Sequence, residues 1–93
     1  MEQGREAARG CAIQALAVLR QTVVSLDNVT RAVKSTVYVA SAEGFGDQPT
    51  VANAASDLLR DVFGDAGLGA RAAVGVAELP MGASVEAEFV FEV

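Results

Sequence analysis

The sequence predicts an α+β fold, a sandwich with two helices packed on one face of a small mixed sheet. Three observations predict it. Apolar residues recur at helical spacing near the start of the chain and again from about residue 48 to 63. Three other stretches alternate with period two and are rich in Val, Thr and Phe, which suits extended backbone. The order along the chain is helix, strand, helix, strand, strand.

With 93 residues the chain is expected to form a single domain, 1–93, because the first core leaves too little to build a second. The hydrophobic fraction of 52% comes largely from Ala and Val with no Trp, so helices and sheet should approach closely. A domain this small would gain burial by oligomerising. The net charge is −5 and the seven Lys and Arg are scattered, which gives no footprint for a phosphate backbone and argues against nucleic acid. The absence of His excludes a Ser-His-Asp triad, a Cys-His pair and a His-ligated metal within the chain. Cys11 stands alone, so neither an internal disulfide nor a Cys cluster for zinc can form. No metal and no cofactor are expected. No leader-like segment and no apolar run of membrane-spanning length is read, so a cytoplasmic protein with no membrane contact is expected.

From Glu2 to about Val24, the residues Ala8, Cys11, Ala12, Ala15, Leu16, Leu19 and Val23 trace one buried stripe of a helix, which places Cys11 as a small packed side chain. Ser25-Leu26-Asp27-Asn28 is turn chemistry. In the strand from Arg31 to Ala40, Val33, Ser35, Val37 and Val39 are expected on a dry face under the helices, with Lys34, Thr36 and Tyr38 on a wetter one. Ser41 to Gln48 is a loop carrying Phe45 between glycines. The second helix begins near Gln48-Pro49, since Pro suits a position whose N–H would be unpaired anyway. It buries Val51, Ala54, Ala55, Leu58, Leu59, Val62 and Phe63, and ends at Gly64. Asn53 is expected to point to solvent, the alternative being that it satisfies a backbone group near a pocket.

Asp65 to Ala70 is rich in Gly but follows a helix rather than opening one, and no Lys-Ser/Thr pair follows, so a phosphate cradle is rejected. From Arg71 to Ala77, Ala72, Val74 and Val76 alternate with Ala73, Gly75 and Ala77, a face of small residues that something could approach closely. Between Ser84 and Val93, Val85, Ala87, Phe89, Phe91 and Val93 face one way, and Ser84, Glu86, Glu88 and Glu92 the other. The first two strands are expected to be parallel across a right-handed crossover, and the last two to pair antiparallel across their short connection.

Chemistry, if present, centres on Arg71 and Glu86. A guanidinium offers a planar pair of donors that matches a carboxylate. One carboxylate can position a water and move its proton without His or metal. The plainer alternatives are a salt bridge for Arg71 and, for Glu86, membership of a solvated acidic row with Glu88 and Glu92. That row alone does not encircle a cation.

Several segments carry a resemblance: Ser25-Leu26-Asp27-Asn28-Val29, Val33-Lys34-Ser35-Thr36-Val37-Tyr38-Val39, the helix around Asn53, and above all Ala70-Arg71-Ala72-Ala73-Val74 with Leu79-Pro80 and Val85-Glu86-Ala87-Glu88. Together they resemble the Rid (YjgF-like) family, which carries an endoribonuclease L-PSP label and includes enamine/imine deaminases. The resemblance implies a chorismate-mutase-like fold in a homotrimer, with the sheets forming a central barrel and ligand clefts between neighbours. It also implies that the strand segment usually preceding the first helix is absent here. By the same resemblance, Arg71 would grip the substrate carboxylate, Glu86 would hold the attacking water, and backbone groups around Ala73 would complete the site. The family often has Cys or Ser where this chain has Ala73. The implied reaction is hydrolysis of a 2-iminobutanoate or 2-iminopropanoate type of imine to a 2-oxo acid and ammonia. The alternative is a non-catalytic trimer that binds 2-oxo acids or serves as an interaction protein.

Overall fold

The computed structural model describes Met1–Val93. Helix α1 (Glu2–Val23) leads into strand β1 (Arg31–Ala40), helix α2 (Gln48–Phe63), strand β2 (Ala70–Val76) and strand β3 (Val85–Glu92). The order and nature of all five elements follow the hydrophobic periodicity. The turn after α1 is held by its own side chains: Ser25 Oγ accepts from the Asp27 N–H at 3.2 Å, and Asn28 Nδ2 donates to the Val23 carbonyl at 2.7 Å. Pro49 sits in the first turn of α2, and Gly64 closes that helix at φ +66° with its N–H on the Arg60 carbonyl.

Both helices lie on one face of a three-stranded sheet in the order β2-β1-β3. β1 runs parallel to β2 and antiparallel to β3. The expected pairing of the last two strands with each other is therefore overturned, because both pair with β1 and stand at opposite edges. The link from Ala77 to Ser84 contains Pro80, not a two-residue Gly or Asn turn, and is long enough to step over the end of β1. In a sheet of three, the ten-residue β1 gains a ladder on both sides.

A second correction concerns β1. A bulge between Ala32 and Lys34 shifts the alternation by one, so Ala32, not Val33, joins Val37 and Val39 in the core, and Val33 is only half-buried. Beyond the bulge the predicted faces hold. Ser35, Val37 and Val39 lie against Phe89, Ala87 and Val85 on the helix side, while Thr36 and Tyr38 pair with Glu88 and Glu86 on the other.

The helices meet along alanines: Ala8 and Ala12 of α1 and Ala52 and Ala55 of α2 are essentially inaccessible. Small side chains here allow close axes and leave Val37 and Val51 as the largest fully buried side chains. Ala52 lies outside the predicted stripe yet is buried, and Val62, which belongs to it, is exposed. α2 covers β1 and β2, whereas α1 covers β3. No helix is long and apolar enough to cross a membrane.

Candidate functional site

β2 is an edge strand, and its parity decides what it offers. The Ser41 N–H donates to the Val76 carbonyl at 2.9 Å, so the even-numbered residues of β2 turn their backbone groups toward β1. Arg71, Ala73 and Gly75 turn theirs to the open edge, and their side chains share the helix side with Ser35, Val37 and Val39. Arg71 thus emerges beside α2. Its Nη1 donates to Asn53 Oδ1 at 2.6 Å and to Ser56 Oγ at 3.3 Å. These two residues are one helical turn apart, on the face of α2 turned to the sheet edge.

Two neutral acceptors orient the guanidinium without cancelling its charge. Neither ion pair of the structure uses Arg71: Arg31 meets Glu92 at 3.6 Å, and Arg60 meets Asp57 at 3.3 Å. Nε and Nη2 of Arg71 make no hydrogen bond and form a free bidentate edge. Arg71 lines an open cleft of about 270 Å³ whose walls also include Ser35, Asp57, Leu59, Arg60 and Leu68. A planar pair of guanidinium donors left free in this way matches the two oxygens of a carboxylate.

Within the chain Arg71 makes no salt bridge, and Asn53, though exposed, is an acceptor that holds Arg71. Ser56 was missed altogether. A signal existed in Val51-Ala52-Asn53-Ala54-Ala55-Ser56, where two polar residues at i and i+3 interrupt an otherwise apolar run. The small-residue face of β2 also has an internal explanation. A Cβ on Gly75 would come within 2.6 Å of Gln48 Nε2, so the close approach there is by the first residue of α2.

Glu86 lies apart from Arg71. It sits on β3 at the other edge, paired with Tyr38, on the face turned away from the helices. Two strand spacings, roughly 10 Å, and the thickness of the sheet separate the two residues within one chain. Beside Glu86, the Tyr38 hydroxyl donates to Glu88 Oε1 at 2.6 Å. That bond, followed by desolvation and the charges of Glu88 and Glu86, raises the phenol pKa. Glu86 carries no comparable bond. Cys11 on α1 directs its Sγ at the Val85 carbonyl, 3.8 Å away. Burial first and the Glu86 charge second push its thiol up, which fits a packed side chain rather than a nucleophile.

This architecture recurs in solved structures. Protein Atu1372 from Agrobacterium tumefaciens, of unknown function, superposes with a TM-score of 0.96 at 39% identity, over 99% of this chain and 59% of that one. A protein from Shewanella oneidensis described as a candidate endoribonuclease shares the fold with a TM-score of 0.94 at 23% identity, over 99% of this chain and 61% of that one. Protein TCP17 of Trypanosoma cruzi is 47% identical over 91 residues, 97% of this chain and 57% of that protein. The chain therefore spans about three fifths of the length of these relatives. The family model described as Endoribonuclease L-PSP matches residues 2–93, and the chain belongs to that family, the YjgF-like or Rid proteins.

Proposed function

We propose that residues 1–93 act as one Rid-like domain that binds small 2-oxo and 2-imino acids through Arg71 and, in an assembly of three copies, hydrolyses the imines. The observation that carries this reading is the guanidinium of Arg71 at an open cleft, oriented by Asn53 and Ser56 through Nη1, in no ion pair, with Nε and Nη2 unbonded. The substrate carboxylate takes Nε and Nη2, and the outward backbone groups of Ala73, two residues along the same edge, reach the neighbouring substrate atoms. Water adds to the imine carbon and gives one proton to the nitrogen by way of the Glu86 carboxylate, and the hydroxyl proton of the resulting carbinolamine follows by the same route. The C–N bond breaks, leaving a 2-oxo acid and ammonia. An imine is already electrophilic, so positioning and one proton relay suffice.

Because Arg71 and Glu86 lie on opposite faces and edges of one sheet, a site that uses both takes them from two chains. The sheet face opposite the helices supports such an assembly: Val74 at 40% and Val90 at 52% exposure stand there with an exposed Ala72 and a half-buried Val76. Mixed protomers test it. Arg71→Ala and Glu86→Ala proteins are each expected to be inactive in ammonia release from an imine generated by an amino-acid oxidase. Equal mixing and reassembly of a cyclic trimer restores an intact Arg71–Glu86 pair at about a quarter of interfaces, hence about a quarter of the wild-type rate. No recovery, with mixed trimers verified by mass, refutes the shared site.

One observation favours a second reading, ligand binding without turnover: a single chain completes the arginine clamp but does not bring Glu86 to it. Saturable binding of 2-oxobutanoate that depends on Arg71, with no acceleration of imine hydrolysis, would establish it. RNA cleavage, which the family's description names, conflicts with the net charge of −5 and the absence of His.

A further inference from the structure

Ser35 is the polar exception among the β1 residues that face the helices. Ala32, Val37 and Val39 on that side are buried in the core, and Ser35 is half-buried between them. Three of the five serines use their hydroxyls locally: Ser25 accepts from Asp27, Ser41 donates to the Val39 carbonyl at 2.8 Å, and Ser56 accepts from Arg71. Ser84 is exposed. Ser35 alone combines partial burial with a hydroxyl that bonds to nothing in the chain. No side-chain polar atom sealed from solvent is left without a partner, so the Ser35 oxygen keeps an opening. A hydroxyl on the core side of a sheet costs folding free energy unless water or a ligand meets it. Ser35 lines the same cleft as Arg71, which gives either one its way in.

Ser35 and Arg71 are register partners on parallel strands, their backbones about 4.8 Å apart. Arg71 is long and reaches α2, where Asn53 and Ser56 hold Nη1, whereas Ser35 is short and stays close to the sheet. The loop that walls the cleft beside them is pressed onto β1. A Cβ on Gly69 would stand 2.5 Å from the Ala32 carbonyl oxygen, so the wall formed by Gly67, Leu68 and Gly69 sits tight on the strand that carries Ser35.

We propose that the Ser35 hydroxyl is a specificity-determining group of this cleft: it bonds to the substituent on C2 of an acid whose carboxylate Arg71 holds, and so selects 2-oxo and 2-imino acids over acids that are bare at C2. The assignment rests on the arginine clamp proposed above. The residue type suits both ends of imine hydrolysis, because a hydroxyl both donates and accepts. It accepts from the N–H of a 2-iminium substrate and donates to the 2-oxo oxygen of the product, with only a rotation of its own O–H. A carboxylate in its place would favour the iminium and repel the ketone oxygen, and an ammonium would do the reverse. Butanoate offers neither partner and leaves Ser35 to water. It forgoes one neutral hydrogen bond, which corresponds to about 2- to 12-fold in affinity.

Titration calorimetry with 2-oxobutanoate and butanoate at one pH reads the preference. The wild-type protein is expected to bind 2-oxobutanoate about fivefold more tightly than butanoate. Ser35→Ala is expected to bind butanoate as the wild type does and to take the two acids with equal affinity, with a thermal melt no lower. Ser35→Thr keeps the hydroxyl and is expected to retain the preference. A preference preserved in Ser35→Ala, or a loss that weakens both acids alike, overturns the assignment, since a merely structural role moves both together. Equal binding of the two acids by the wild type does the same. Arg71→Ala keeps the two readings apart. Loss of both acids in that variant, beside an unchanged preference in Ser35→Ala, leaves the clamp standing and removes Ser35. Binding of both acids by Arg71→Ala as tight as by the wild type removes the clamp, and the Ser35 assignment with it.

Discussion

Asn53→Asp separates positioning from neutralisation at the arginine clamp. The two side chains have the same shape, so the introduced carboxylate would still accept from Arg71 Nη1, which now lies 2.6 Å from Asn53 Oδ1. The exchange adds one negative charge beside the guanidinium. For folding the effect is small and favourable, about 0–1 kcal/mol, because the new ion pair is exposed. For a carboxylate ligand on the Nε/Nη2 edge the effect is opposite. Its centre would stand on the order of 6 Å from the new charge, a repulsion of about 0.7 kcal/mol at the dielectric of water and about 2.8 kcal/mol at that of a protein surface. Affinity should therefore fall roughly 3- to 100-fold, with about tenfold the central expectation. Titration calorimetry with 2-oxobutanoate at low and high salt, beside a thermal melt, reads both quantities. A variant that melts no lower yet binds about tenfold more weakly, with part of the loss recovered in salt, supports a clamp that works by free charge. Unchanged or tighter binding refutes it.

Three further expectations concern packing and titration. Val37→Ala, at the 1% exposed centre of β1, should cost about 2 kcal/mol and lower Tm by roughly 10 °C in a calorimetric scan; a change under about 2 °C would contradict its place in the core. Ala55→Leu should destabilise by about 1–3 kcal/mol in urea unfolding, because the alanine seam between α1 and α2 has no room for the added carbons. The Tyr38 phenol, raised chiefly by its bond to Glu88, should ionise above the ordinary value of about 10, and Glu88→Gln should bring its ultraviolet titration back down. Since the folded pKa is the higher one, this contribution to stability is complete below the unfolded value and is lost as pH rises through the folded value. An unmoved midpoint in Glu88→Gln would refute the assignment.

The local pattern along the chain carried the elements but not their pairing. The stripes of α1 and α2 and the alternation of β2 and β3 each lie within a single segment, so periodicity located them within a residue or two. Which strands meet is a contest between ladders distant in sequence. A short link between β2 and β3 suggested a hairpin, yet β1, with two edges to satisfy, separated them. The bulge that moved Ala32 into the core shows how one extra residue reverses a face, and no Gly or Pro marked it. At the site, the residue type together with the family resemblance made Arg71 a candidate. The partnership with Asn53 and Ser56 depends on α2 crossing beside β2, a contact between residues 18 and 15 positions apart that no local rule encodes.

The nature of those partners bears on what the cleft can select. An arginine held by carboxylates is a finished ion pair, and an anion must compete for it. Held by an amide oxygen and a hydroxyl, it is fixed in direction while its charge remains for the ligand. The surroundings then set a limit on that ligand. Asp57 stands at the cleft rim, bonded to Arg60 at 3.3 Å, and the whole chain carries −5. If the proposed clamp operates, a single carboxylate on the free edge of Arg71 would balance its charge, whereas a dianion would bring a second charge in a cleft whose other cation, Arg60, is already paired with Asp57. The proposed clamp would therefore prefer small monocarboxylates to phosphate esters and dicarboxylates, and the neutrality of Asn53 and Ser56 would be the reason.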